Sequence, residues 1–229
     1  MNLLDTIDQP TLLIDEKIAQ RNIERMAVRV KNNAVVFRPH FKTHQSAEVG
    51  EWFRDYGVTK ITVSSVEMAE YFVQHGWDDI TIAFSLNIRQ LPRIQVLAQK
   101  VSLGVLVENA EEVQSLSALK DCAIDVWVKV DVGNHRTGLD WSDSRAVAGL
   151  CTQIQKVPFL RLKGLLTHSG HTYKAHSQSE VCAIFREGID RLNGLRKELE
   201  NFGFTGLKVS VGDTPGCTLC EDWSGTDEA

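Results

Sequence analysis

Short apolar runs alternate along this chain with stretches in which apolar residues recur every three or four positions. The runs are rich in β-branched residues and apolar on both faces, as in "ITVSS" and "DITIAF", which is typical of parallel strands covered by helices. In the stretches between these runs the apolar residues are spaced as in amphipathic helices. The longest apolar stripe runs from Val181 to Leu199. The predicted strands are Thr11–Ile14, Ala34–Phe41, Lys60–Ser65, Ile80–Phe84, Val101–Val107, Ala123–Val132, Leu160–Thr167 and Leu207–Gly212.

Eight strands separated by helices predict a (β/α)8 barrel, and an open doubly wound sheet is the alternative. The 229 residues, 43% of them hydrophobic, are enough for one such domain, which we expect to span residues 1–229. Only a polar tail from Asp213 to Ala229 follows the last predicted strand.

The composition favours a small-molecule partner. The net charge is −5 and the Lys and Arg residues are scattered, which argues against nucleic acid or an anionic membrane as the main partner. We find no apolar run long enough to span a membrane and no leader-like segment over Met1–Asp8. An odd number of dispersed cysteines favours reduced thiols and a cytoplasmic location; they are Cys122, Cys151, Cys182, Cys217 and Cys220.

The second predicted strand ends in "RPHFKTHQ", and functional side chains of barrels lie at the carboxyl ends of strands. Alternation along an extended strand would put His40, Lys42 and His44 on one face. A lysine that is desolvated beside cationic neighbours has a lowered pKa and can attack an aldehyde to give a Schiff base. A solvated lysine beside structural histidines fits the same motif, so the motif alone leaves both interpretations open.

Two later strand ends carry further polar side chains. The sixth ends in "VKVDVGNHRTGL", where Arg136 could bind a phenolate or carboxylate oxygen, or could pair on the surface with Asp131 or Asp140. The seventh ends in "LLTHSGHTY", where the ring of His168 suits a planar cofactor and the hydroxyl of Tyr173 suits a phosphate. A polar loop with nothing bound is the alternative for that segment.

The eighth predicted strand ends in "VSVGDTPGCTLC". Ser210, Gly212 and Thr214 form a small, hydroxyl-bearing loop whose backbone N–H groups could cradle a phosphate before a short helix. Barrels often bind phosphate at this position, although a plain glycine-rich turn also fits. Cys217 and Cys220 have CxxC spacing without a second pair, which favours buried thiols over a redox or zinc role.

Together these motifs resemble the D-threonine aldolase and D-serine dehydratase family. The matching segments, in the same order as in that family, are "QPTLLIDE", "RPHFKTHQ", "KVDVGNHRTGL", "LLTHSGHTY" and "VSVGDTPG". The resemblance covers essentially the whole chain and implies a barrel of the alanine racemase N-terminal type that binds pyridoxal phosphate. The substrate it implies is a D-configured β-hydroxy amino acid. Such a substrate is either cleaved to glycine and an aldehyde or dehydrated to a keto acid and ammonia, and the sequence leaves this choice open.

The resemblance also implies a role for each matching residue. Lys42 would hold pyridoxal phosphate as an internal aldimine and then act as the base at the substrate Cα. Arg136 would lie near the cofactor's phenolic oxygen, and His168 would pack against the pyridine ring. The other expected cofactor-binding residues are His40, Tyr173, Ser210, Gly212, Asp213 and Thr214.

Members of this family continue into a β-rich C-terminal domain that carries a divalent metal, zinc or manganese. Nothing follows Ala229 in this chain, so we expect the metal ligands to lie outside it and assign no metal site here. We also expect the chain to bind the cofactor and to be weak or inactive as a lyase. Such active sites are completed by a homodimer, and the sequence leaves open whether this chain forms one.

Three other functions fit parts of the sequence. A single-domain pyridoxal-phosphate homeostasis protein has the same barrel and about this length, but the lysine and RTG motifs favour the lyase family. An amino-acid racemase of this barrel type would need a second base, usually a tyrosine from the C-terminal domain. A barrel metallohydrolase could use imidazoles alone, but such sites usually include carboxylate ligands; its ligands would be His40, His44, His168 and His171.

Overall fold

The computed structural model describes residues 3–229, in which parallel strands alternate with helices. The strands are β1 (Ile61–Val63), β2 (Asp79–Ser85), β3 (Ser102–Val107), β4 (Ile124–Asp131), β5 (Leu139–Asp140), β6 (Leu160–Leu166) and β7 (Lys208–Ser210). The α-helices are α1 (Glu16–Asn32), α2 (Ala47–Arg54), α3 (Val66–Gln74), α4 (Leu91–Ala98), α5 (Ala110–Leu116), α6 (Ser144–Gln155), α7 (Gln178–Glu200) and α8 (Thr214–Leu219). Short 3-10 turns occupy Leu3–Thr6, Ile88–Gln90 and Gly170–Lys174. None of the helices within residues 3–229 combines the length and apolarity needed to cross a bilayer.

The strands form one parallel sheet in the order β1-β2-β3-β4-β6-β7, with β5 beside the end of β4. Isolated bridges join its two edges. His40 pairs with Thr62 of β1, and Glu228 pairs both with Val36 and with Ser210 of β7. Residues 36–40 and 227–229 therefore fill the two positions between β7 and β1. The sheet closes, which confirms the predicted (β/α)8 barrel over the open sheet.

One strand prediction is wrong, and so is the expectation that the C-terminal tail takes no part in the sheet. The segment Thr11–Ile14 forms no strand, and Leu12 is 84% exposed, because the barrel positions beside it are already filled. The expected polar tail supplies the last position instead: Val36 N–H donates to Asp227 O at 2.9 Å, and Val211 N–H donates to Glu228 O at 3.1 Å.

The predicted strand over Ala34–Phe41 is much reduced. Only Val36 and His40 form bridges within it. Ala34 has a left-handed φ of 55°, and Pro39 cannot donate a backbone hydrogen bond. The chain then turns from Phe41 to His44, so the strand stops before the lysine motif.

Each helix packs one apolar face against the outside of the barrel. Ile80, Leu103 and Ile124 on the strands are fully buried against Phe72 and Leu192 on the helices. Burying a side chain of this size contributes about 1.5–3 kcal/mol. Most helices begin at a residue whose side chain accepts a hydrogen bond from the first turn, as N-caps do; these caps are Asp15, Ser46, Ser65, Asn109, Asp143, Ser177 and Asp213.

The inside of the barrel has three levels. At the amino ends of the strands Arg38 pairs with Asp79 at 2.8 Å and with Glu228 at 3.1 Å, beside a cavity of about 290 Å³. An apolar layer lies above these charges, formed by Ala83, Leu106, Trp127 and Leu166. The third level, at the carboxyl ends of the strands, is polar and contains the candidate site.

Candidate active site

The candidate site is built from segments that follow the parallel strands. Because the carboxyl ends of parallel strands meet at one rim of a barrel, side chains from distant parts of the chain come together there. His40 forms the bridge to β1, Lys129 lies near the end of β4, and His168 lies just after β6. The loop after β7 completes the rim.

Lys42 lies in the turn that replaces the predicted strand end. Its backbone N–H donates to Nδ1 of His40 at 3.3 Å, and its side chain is exposed at the mouth. Burial is the main cause that lowers the pKa of His40 to about 3, and interactions with Lys42 and His168 add to it. His40 is therefore a neutral imidazole at pH 7. His40, Lys42 and His168 therefore lie close enough to influence one another electrostatically.

His44 does not share a face with Lys42, and that expectation is wrong. The turn swings the His44 ring into an aromatic cluster, where its centroid lies 4.5 Å from that of Phe41 and 5.8 Å from that of Phe53. Its Nδ1 accepts a hydrogen bond from the Ser46 N–H at 3.2 Å. The prediction assumed an extended strand, whereas Gln45 N–H bonds back to Phe41 O.

Arg136 lies in the loop that follows β4. Asp131 anchors the start of this loop, because its Oδ1 accepts hydrogen bonds from the N–H groups of Gly133 and Asn134, each at 2.9 Å. The Asp131 carboxylate is thus occupied by amides, and within residues 3–229 Arg136 forms no ion pair. Its exposed guanidinium lowers the pKa of His168, which lies within its electrostatic reach.

His168 is held in one orientation by the loop after β7. Its Nδ1–H donates to Gly212 O at 2.6 Å, which fixes the tautomer because a carbonyl oxygen can only accept. Burial is the main reason that its pKa is lowered, with Arg136 and Lys42 adding to the effect. Tyr173 is 59% exposed, and its ring centroid lies 6.5 Å from that of His168.

The loop after β7 offers open backbone. A Cβ at Gly212 would meet no heavy atom within 4 Å. Asp213 is buried and caps α8, because its Oδ1 accepts from Gly216 N–H and from Thr172 Oγ1, both at 2.7 Å. Ser210 is 6% exposed, and Thr214 lies on the surface at the first turn of α8. Gly212 and Thr214 thus border the opening, whereas the Asp213 carboxylate faces inward and shapes the loop.

Lys129 and Glu108 were not among the residues predicted from the sequence. Lys129 is 5% exposed on the barrel interior, and its Nζ donates to Val130 O at 3.2 Å. Burial is the main cause that lowers its pKa to about 8, against the opposing charge of Glu108. The sequence did carry a signal for it, since a lysine inside the apolar run "VWVKV" must point into the barrel if its neighbours face the helices.

The cysteine prediction is only partly right. Cys217 is a buried free thiol as expected, but Cys220 forms a disulfide with Cys182. The packing of α8 on α7 brings their Cα atoms to 5.3 Å, which is within the usual range for a disulfide. The expectation that every thiol is reduced is therefore wrong for this pair. Among residues 3–229 no cluster of three or more His, Cys, Asp or Glu side chains could hold a metal ion.

Comparison with known proteins connects this geometry to curated enzymes. D-threo-3-hydroxyaspartate dehydratase of Delftia sp. (strain HT23) is 30% identical over 227 residues, which are 97% of this chain and 60% of that protein. D-threonine aldolase of Arthrobacter sp. is 30% identical over 186 residues, which are 78% of this chain and 48% of that enzyme. The chain therefore spans about half to three fifths of the length of these relatives.

The fold is shared with solved structures. The Delftia dehydratase structure has a TM-score of 0.92 at 29% identity and covers 100% of this chain, whereas the chain covers 61% of it. A C353A variant of that dehydratase, solved in a metal-free form, has the same TM-score of 0.92 and coverage. Residues 14–228 match the family described as alanine racemase, N-terminal domain. This chain therefore belongs to the alanine racemase N-terminal domain family.

Proposed function

We propose that this chain is the cofactor-binding barrel of a pyridoxal-phosphate-dependent lyase that acts on D-configured β-hydroxy amino acids. One observation carries the proposal: the exposed amine of Lys42 shares the barrel mouth with Arg136 and His168, and the open backbone at Gly212 lies beside His168. The dehydratase and the aldolase described above are named for substrates of this class, which supports the same activity for the protein to which this barrel belongs.

The residues at the mouth fit a pyridoxal phosphate molecule. A phosphate dianion needs positive charge and free N–H donors, and the open space above Gly212 lies beside the first turn of α8. Within residues 3–229 the backbone N–H groups of Gly212 and Asp213 donate to no acceptor. Lys42 and Arg136 bear positive charges that no acidic side chain of the described chain neutralises. An anionic, planar aldehyde therefore matches this mouth in charge and in shape.

Each residue has a distinct task in the proposed reaction. When bound, pyridoxal phosphate supplies an electron sink for the negative charge that develops at the substrate Cα. Lys42 would hold the cofactor through its Nζ and would accept the proton from the substrate Cα. Arg136 would donate hydrogen bonds to the phenolic oxygen, and the ring of His168 would pack against the pyridine. Gly212 and Thr214 hold the phosphate, with Tyr173 and Ser210 beside it.

Other parts of the proposal concern the whole protein. The partner is a small-molecule amino acid, and neither nucleic acid nor membrane has a part in it. The divalent metal that the resemblance implies would be held outside residues 1–229, which we propose as a single barrel domain. A homodimer and a cytoplasmic location stay predictions from the sequence.

The test is a titration of the protein with pyridoxal phosphate, followed by visible absorption. We expect a new absorption band that Lys42→Ala abolishes and that Lys174→Ala, an exposed lysine at the same face, retains. After borohydride reduction, mass spectrometry should find the cofactor on the peptide that contains Lys42. D-threo-3-hydroxyaspartate, D-serine and D-threonine are then the substrates to assay, with keto acid and glycine measured separately.

A band that persists in Lys42→Ala, or one that Lys174→Ala also abolishes, would contradict the proposed role of Lys42. Circular dichroism of each variant shows that the barrel is intact. Without such a check, loss of the band through unfolding would resemble loss of the cofactor amine.

A further inference from the structure

The loop that carries Arg136 is held at both of its ends. Asp131 accepts the hydrogen bonds at its start, and at its far end the Gly138 N–H donates to Glu108 Oε2 at 2.7 Å. Gly138 has a φ of +110°, and a Cβ there would lie 2.8 Å from Val130 C. The loop therefore rests directly on the backbone of β4, and the position of Arg136 depends on these two anchors.

Glu108 is itself fixed by contacts from three directions. Its Oε1 accepts a hydrogen bond from Ser85 Oγ at 2.5 Å, at the end of the neighbouring strand β2. Its backbone N–H donates to Glu112 Oε2 at 2.6 Å, and Asn109 caps α5 immediately after it. Both carboxylate oxygens are thus in use, which leaves this side chain little freedom to turn away from Gly138.

The charge of Glu108 also bears on Arg136. The buried Lys129 lies within electrostatic reach of both residues, and the two cations disfavour each other. Glu108 is the acid that offsets this repulsion most strongly, since its attraction to Lys129 exceeds that of Asp131. Without this carboxylate, Lys129 would keep the unfavourable influence of Arg136 and lose its main favourable one.

We infer that Glu108 is a positioning residue for Arg136, because it anchors the far end of the Arg136 loop through Gly138 and supplies the counter-charge for Lys129. This inference rests on the proposed function, in which Arg136 contacts the cofactor. Glu108 itself touches neither cofactor nor substrate in this role.

The experiment is a double-mutant cycle read out by the dissociation constant for pyridoxal phosphate. Glu108→Ala should weaken binding by about tenfold, the equivalent of one charge-assisted hydrogen bond. In an Arg136→Ala background the same change should have an effect of less than about twofold, because residues that act through one another are not additive. Glu111→Gln removes an exposed carboxylate from α5, the helix that begins just after Glu108, and should bind like the unaltered chain.

Hydrogen exchange gives a second readout that needs no cofactor. The peptide over residues 132–139 should exchange faster in Glu108→Ala and in the milder Glu108→Gln, while exchange elsewhere in the barrel is unchanged. Equal effects of Glu108→Ala in the two backgrounds, or unaltered loop exchange, would overturn the inference. If the unaltered chain forms no Lys42-dependent band, the proposed function fails, and loop exchange still decides whether Glu108 holds this loop.

Discussion

At the scale of single residues, the barrel mouth lowers the pKa of two imidazoles, those of His40 and His168. His40 and His168 are both depleted of protons by burial and by the charge of Lys42. An uncharged ring can lie against a planar ligand without competing for its anionic groups. The two histidines therefore contribute shape to the site and leave the charge to Lys42 and Arg136.

The depressed pKa of His40 predicts a loss of stability in acid. Its pKa is about 3 in the folded chain against an ordinary value of 6.5, so an unfolded chain takes up the proton first as the pH falls. The stabilisation is fully present above pH 6.5 and is lost progressively toward pH 3, at about 1.4 kcal/mol per pH unit. Urea denaturation between pH 7 and pH 4 should show a shallower slope for His40→Gln.

His176, an exposed histidine after the Gly170–Lys174 turn, provides the control for that measurement. His176→Gln should leave the slope of the unfolding free energy unchanged. If His40→Gln and the unaltered chain lose stability in parallel, His40 is not the group that takes up the proton.

At the scale of secondary-structure elements, close backbone approach fixes how β6 meets β7. A Cβ at Gly164 would lie 1.9 Å from Lys208 O and 2.5 Å from Lys208 N. Gly149 on the outer face of α6 has nothing within 4 Å of the same position. The two glycines therefore respond oppositely to an added methyl group.

We expect Gly164→Ala to lower the unfolding free energy by more than about 3 kcal/mol, because the methyl group would force the two strands apart. Gly149→Ala should raise it by about 0.4–1 kcal/mol, since alanine is the better helix former and restricts the unfolded chain. Chemical denaturation of both variants checks this pair, and a Gly164→Ala barrel of normal stability would show that β6 and β7 can separate freely.

The disulfide makes a further element-scale prediction. Cys182 on α7 and Cys220 at the end of α8 are separated by 38 residues, and closing a loop of that length stabilises a fold by about 2–4 kcal/mol. Dithiothreitol should therefore lower the urea midpoint of the unaltered chain. It should have no effect on Cys182→Ala, which lacks the bond from the start.

At the scale of the whole molecule, the barrel is closed by its final residues. Asp227 to Ala229 hydrogen-bond to both β7 and the Val36 segment, and Glu228 reaches Arg38 from the inside. Removing Thr226–Ala229 should leave two unpaired strand edges and a buried arginine with one partner fewer. We expect this truncated chain to lose cooperative thermal unfolding and to associate on size-exclusion chromatography, whereas a monomeric barrel of normal stability would contradict this closure.

The sequence predicts whatever depends on local pattern. Periodicity gave the helices and most of the strands, and the motifs at the strand ends gave His40, Lys42, Arg136 and His168, which the structure brings to one rim. The remaining features depend on contacts between distant segments. Three residues near Ala229 cannot be recognised as a strand by their own pattern.

The turn at Lys42 and the contact of Glu108 with Gly138 could not be predicted from the sequence, because they too depend on contacts between distant segments. An apolar run predicts that a strand continues, yet the turn after Phe41 is set by packing of that ring in an aromatic cluster. In the sequence, Glu108 is one of several acidic residues in the segment "VENAEE". Its contact with Gly138 spans 30 residues, and only the barrel topology brings the two together.

The apolar layer around Trp127 lies between two polar levels of the barrel interior. The ion pairs of Arg38 lie below this layer, and the polar groups of the candidate site lie above it. The lower compartment, with its cavity of about 290 Å³, contains the ion pairs that join the closing segments, so we expect substitutions there to act on the stability of the barrel before they act on the mouth.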